Sequence, residues 1–245
     1  MAIFMQNTHT ISNITSSNEI MKIGGFNITT LRHGLIFDEV ESSLPSRLLG
    51  YTTETLDSSF GSKFSTIYGY VQEETITILT KNNVWPDVPK GFYFCIVGEF
   101  KIKGKGSCVL FERIGVRGIF QIGGPLENIG RVAYISGCSD SLLVFPPRMG
   151  DPCMNCLWFP KNVRQTMHIH PTVRFAIVTK GNGRCITPEG ELPLKEGYVF
   201  KLKAMSQHCF FTDQEEMTIV TYHPDSDWGP TDDQHPMLNK TLLAK

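Results

Sequence analysis

Glycine and proline recur too often in this chain for long helices to persist. Gly24-Gly25, Gly104-Lys-Gly106, Gly115, Gly118, Gly123-Gly124-Pro125, Pro146-Pro147, Gly181-Asn-Gly183 and Pro188-Glu-Gly190 divide it into short segments. Between these turns lie β-branched and aromatic runs: Phe64–Val71, Thr75–Thr80, Phe92–Val97, Val173–Val178 and Met217–Tyr222. Short strands between turn signals, without sustained 3.6-residue periodicity, indicate an all-β sandwich or barrel with few helices. The stretch Leu44–Ser58 is the one place that accommodates a short helix.

A faint internal repeat suggests how such strands divide. Phe92-Tyr-Phe-Cys-Ile-Val-Gly98 aligns with Val173-Arg-Phe-Ala-Ile-Val-Thr179, and Lys103-Gly-Lys-Gly-Ser-Cys108 aligns with Lys180-Gly-Asn-Gly-Arg-Cys185. Two related barrels in tandem fit the 245 residues. The division expected is a flexible arm over 1–21, a first barrel over 22–145, and a second over 146–245 that ends in a lid segment. The boundary is set at Pro146–Pro152, which is rich in turn residues.

Charge narrows the function classes. The chain carries 23 basic and 24 acidic side chains, a formal charge of -1, without the basic excess of a nucleic-acid binder. No apolar run approaches a membrane span. The polar segment 1–20 lacks a basic region leading into an apolar block, so a cytoplasmic protein with no membrane partner is expected. Seven cysteines, an odd number, suit reduced thiols. Cys153-Met-Asn-Cys156 has a metal-like spacing but no second pair to complete a zinc site.

Histidine is the residue type that carries chemistry. Five of the seven histidines lie at or beyond position 168, and two form His168-Ile-His170. On a strand, residues two apart share a face and lie about 6–7 Å apart. Both imidazoles then converge on one ion, with His208, ahead of Cys209-Phe-Phe211, as the third nitrogen. Neutral imidazoles suit Fe(II), Mn, Ni, Cu and Zn better than Mg or Ca. The bland alternative is a set of unrelated core and surface histidines.

This segment resembles the cupin superfamily over about residues 155–222. The first cupin motif has two histidines separated by one residue, then an acidic ligand, then a glycine after six intervening residues. Here His168 and His170 are followed by Arg174 at the acidic position and by Gly181. The second motif keeps its spacing from Gly197 to His208. The chain departs from the pattern at Asn162, Lys203, Met205 and Thr212, and most consequentially at Arg174. The resemblance implies a double-stranded β-helix, or jelly roll, with His168, His170 and His208 as metal ligands. It also implies a bicupin whose first barrel has lost its ligands. Cupins without the acidic ligand include dioxygenases, which points to Fe(II), with Zn, Mn and Ni as alternatives.

If the strand runs unbroken from Arg164 to Phe175, then Arg164, Thr166, His168, His170, Thr172 and Arg174 share a face. Arg174 then enters the metal cavity and forks a carboxylate or phosphate, with Arg164 and Thr166 as further substrate contacts. The alternative pairs Arg174 with an internal carboxylate. In the tail, Tyr222 and His223 are the candidate acids or bases, or else residues of a solvated loop. Three readings remain open: an Fe(II)-dependent oxygenase acting on a small anionic metabolite; a lyase or isomerase using the metal as a Lewis acid with Tyr222 or His223 as base; and a non-catalytic binding or sensor protein. A monomer and a homodimer are both compatible with two barrels in one chain.

Overall fold

The computed structural model describes residues 19–52 and 58–226. Among them are twenty strands and no α-helix; a 3-10 turn at Ile135–Gly137 is the sole helical piece. The helix expected within Leu44–Ser58 is replaced by the strand Ser46–Tyr51, paired on both sides. Its burial of Ser46, Leu48 and Gly50 follows period two, and the cross-strand ladder overrides the weak local helical signal. Most of the expected arm, and the tail beyond Ser226, lie outside the described residues.

Three sheets form two β-sandwiches back to back. In the first, the six-stranded sheet that includes Ser65–Glu73, Tyr93–Val97 and Ser107–Ile114 covers a four-stranded sheet that includes Thr75–Leu79 and Phe100–Lys103. Ile67, Val71, Phe94, Ile102 and Leu110 fill the space between. The second sandwich is a ten-stranded system hinged on one long strand, Arg174–Thr187. Its first half pairs with Tyr198–Leu202 and Met217–His223, and its second half with Gly190–Lys195 and Cys209–Phe211. A bulge at Val178/Lys180 and Gly181, at φ +72°, let the strand pass from one layer to the other.

The two sandwiches share a third core. Tyr68 and Tyr70 from one, and Met154, Cys156, Trp158, Val220 and Tyr222 from the other, interlock there. Cys153–Phe159 and Met217–His223 are consequently buried along their whole length. A strand covered on both faces loses the polar alternation that would reveal its inward side.

Pairing also crosses the 145/146 position. Met21–Ile23 and Phe26–Thr30 enter the second sandwich through Tyr198–Leu202, and residues 146–152 close a hairpin between Ser139–Val144 and Cys153–Phe159. The repeat does not align in space. Lys103-Gly-Lys-Gly-Ser-Cys108 turns between two strands, whereas Lys180-Gly-Asn-Gly-Arg-Cys185 lies within a single one. No helix among the described residues is long and apolar enough to cross a membrane.

Candidate metal centre

The three histidines come from two extended segments pinned together at one point. His168 and His208 exchange both backbone hydrogen bonds at 3.0 Å, which sets their rings side by side with centroids 4.3 Å apart. His170 follows two residues later, its ring 5.1 Å from each of the others, and its carbonyl accepts from the Met205 N–H at 2.7 Å. One nitrogen of each ring lies within 4.8 Å of the other two.

The tautomers follow from the partners. His168 Nδ1 faces the Thr166 carbonyl at 2.8 Å, and His208 Nδ1 faces the Ser206 carbonyl at 3.0 Å. A carbonyl only accepts, so each Nδ1 carries the proton and each Nε2 presents a lone pair. The Nε2 of His208 is buried without a hydrogen-bond partner, a costly arrangement unless something electrophilic meets it. Burial lowers the pKa of all three rings. His168 is lowered, His208 falls to about 3, and His170 falls well below the imidazole range with added repulsion from Arg174. All three shifts favour the neutral imidazole, the protonation state a metal requires. The donor set therefore fits a divalent transition metal, which His168, His170 and His208 would hold.

Arg174 opens the long strand and is 1% exposed. Its Nη1 donates to the carbonyls of Thr172 and Val173, each at 3.2 Å, and to the Thr172 hydroxyl. That hydroxyl donates onward to Asp225 Oδ1 at 3.0 Å. The guanidinium is thus fixed by its own turn while lining the cavity that contains the three histidines. The cavity is small, about 40 Å3, room for about three waters.

Not every residue expected at the site is there. The strand does not run unbroken from Arg164 to Phe175; before Arg174 it consists of isolated bridges at Arg164 and His168. Pro171 has no N–H to continue a ladder, and the Gln165 side chain accepts the Phe210 N–H at 3.1 Å. Face parity is lost between Gln165 and His168, so Gln165 lines the cavity while Arg164 and Thr166 are exposed outside it. Arg164 pairs with Asp213 at 2.6 Å and lies over the Phe211 ring. Thr166 contacts Ser136.

Alternation along Met217–His223 divides the other two. His223 lines the cavity with Thr221, whereas Tyr222 points into the core between the sandwiches. There it stacks on Phe111 and Phe175, and its hydroxyl meets Ser46 Oγ at 3.1 Å. Tyr222 is therefore withdrawn as a candidate base, since burial also raises its pKa further. Sequence reasoning missed Asp140 and Asn155, both buried in the cavity wall. Asn155, a lone amide on the same face as Leu157 and Phe159, was the available signal.

No protein-family model and no curated protein sequence matches the chain. Solved structures do. A cupin 2 conserved barrel domain protein from Leptotrichia buccalis superposes with a TM-score of 0.55 at 14% identity, covering 86% of this chain and 91% of that one. Salicylate 1,2-dioxygenase from Pseudoaminobacter salicylatoxidans gives 0.54 at 8% identity, over 72% and 67%. Bacillus subtilis oxalate decarboxylase, a protein with Mn(II) centres, gives 0.51 at 11% identity, over 90% and 79%. At such identities the likeness speaks to architecture: this chain has the cupin jelly-roll fold.

Proposed function

We propose that this chain is a metal-dependent cupin enzyme, an Fe(II)-dependent oxygenase of a small anionic metabolite. The observation that carries this reading is the juxtaposition of three imidazoles, His208 buried and His168 and His170 half-buried, with the buried Arg174 guanidinium in one cavity. A bound metal would supply Lewis acidity and, as Fe(II), oxygen chemistry. Arg174 binds and orients the carboxylate or phosphate of the substrate through a preformed fork. Burial of that fork strengthens the contact, because little water competes for it. His223 stands in the cavity wall as a group able to hold or move a proton.

A second reading has its own support. Asp140 and His223 give the cavity two proton-transfer groups, which suits a lyase or isomerase on the same centre with Zn, Mn or Ni. The test is anaerobic reconstitution with Fe(II) followed by oxygen uptake in the presence of small carboxylates. Uptake that disappears in Arg174→Leu supports the oxygenase. Absence of uptake, with solvent exchange of substrate protons in the Zn or Mn form, replaces it with the second reading.

A further inference from the structure

The cavity wall across the sheet from Arg174 is formed by two polar side chains that the metal centre does not use. Asp140 and Asn155 are 1% and 2% exposed. Asn155 Nδ2 faces both Asp140 carboxylate oxygens, at 3.0 and 2.9 Å. With Asp140 ionised, two acceptor oxygens on one side set the amide orientation, nitrogen toward Asp140 and oxygen away. That oxygen, Oδ1, is buried and has no hydrogen-bond partner. The amide is therefore held by its nitrogen while both lone pairs of its oxygen are unused.

Sheet order sets the spacing. Ser139–Val144, Cys153–Phe159, Met217–His223 and Arg174–Thr187 are successive neighbours. Asn155 thus lies two strands from Arg174 and Asp140 three, about 10–14 Å at the backbone. The side chains that line the cavity from both directions leave room for one ligand of a few heavy atoms, in keeping with its volume of about 40 Å3.

We propose that Asp140 and Asn155 form a second recognition element, accepting an N–H or O–H from one end of a substrate whose anionic end rests on Arg174. The substrate class is then a small hydroxy- or amino-carboxylate, in preference to a simple carboxylate. Asp140 acts as a positioning residue: it holds the Asn155 nitrogen so that Oδ1 is presented to the ligand. Burial of Asp140 raises its pKa to about 7, so the dyad tolerates a neutral donor as well as a cationic one. The inference rests on the reading of Arg174 as the anion contact.

Acetate and glycolate differ by one hydroxyl and separate the two claims. Their affinities are measured by NMR titration of the metal-free full-length protein, where chelation cannot contribute. Wild type is expected to favour glycolate by about threefold to tenfold, the worth of one hydrogen bond. In Asn155→Leu that preference is expected to vanish, with acetate affinity unchanged within about twofold. The double variant Asp140→Leu with Asn155→Leu removes both side chains together, so neither is left facing an unpaired partner, and it carries the test if the single variant does not fold. Equal affinities in wild type, or a preference that survives either variant, overturn the proposal. Arg174→Leu is expected to weaken both ligands alike. If it leaves both unchanged, or if wild type binds neither, the anion reading fails and the proposal with it.

Discussion

Replacing Asp140 by Asn should change how stability depends on pH. Burial raises the Asp140 pKa from 3.8 to about 7, against the smaller downward pull of the Asn155 amide and the Ser141 backbone. The sign is opposite to that of a salt-bridged aspartate. Between these two values the folded chain holds a proton that the unfolded chain has lost, so the contribution of Asp140 to stability falls as pH rises. The whole loss amounts to about 4 kcal/mol, of which about 2.5 kcal/mol accrues between pH 5 and pH 8. Asparagine is neutral throughout and carries no such slope. Its altered pairing with Asn155 adds a pH-independent offset, so the informative quantity is the change with pH of the difference between variant and wild type. Urea unfolding of the metal-free proteins at pH 5, 6, 7 and 8 measures it. The variant is expected to gain about 2.5 kcal/mol on wild type across that range. A difference that stays flat, or that moves the other way, would refute the assignment of Asp140 as a desolvated carboxyl.

Tyr222→Phe is expected to lower unfolding free energy by about 1 kcal/mol through loss of the Ser46 contact, with metal stoichiometry and turnover retained. Loss of turnover without loss of stability would return Tyr222 to the chemistry. The seven cysteines are all buried and unpaired in disulfides, and burial pushes Cys95 and Cys138 up to about 12. A thiol reagent is therefore expected to label native protein slowly and all seven positions after denaturation. Rapid labelling of Cys153 or Cys156 in the native state would contradict their burial.

Much of the fold was legible because its signals are local. The turn at Pro188-Glu-Gly190 closes a hairpin, and Gly104-Lys-Gly106 carries the chain from the four-stranded sheet to the six-stranded one; the spacing of His168, His170 and His208 survives as spatial proximity. The side-chain faces were less legible, for a physical reason. Met217–His223 and Cys153–Phe159 are covered on both sides, so their composition does not say which side holds the site. Tyr222 was ambiguous for this reason, and Asn155 went unnoticed. Arg164 and Thr166 were misplaced by counting parity through a segment that Pro171 and Gln165 prevent from being a strand. The alignment of Lys180–Cys185 with Lys103–Cys108 failed because glycine serves a turn in one place and a strand-bending bulge in the other. Arg174 was found from its position in a motif, while its support by Thr172 and Asp225 depends on a contact 53 residues away.

The central claim is the three-histidine centre, and the most direct measurement is metal stoichiometry. Full-length protein, purified without a tag or chelator, is titrated with Fe(II) under anaerobic conditions and with Zn(II), alongside His168→Ala, His170→Ala and His208→Ala. Wild type is expected to bind one equivalent and none of the three variants to retain any, with each variant still folded by circular dichroism. Stoichiometric metal retained in a folded His208→Ala protein would contradict it.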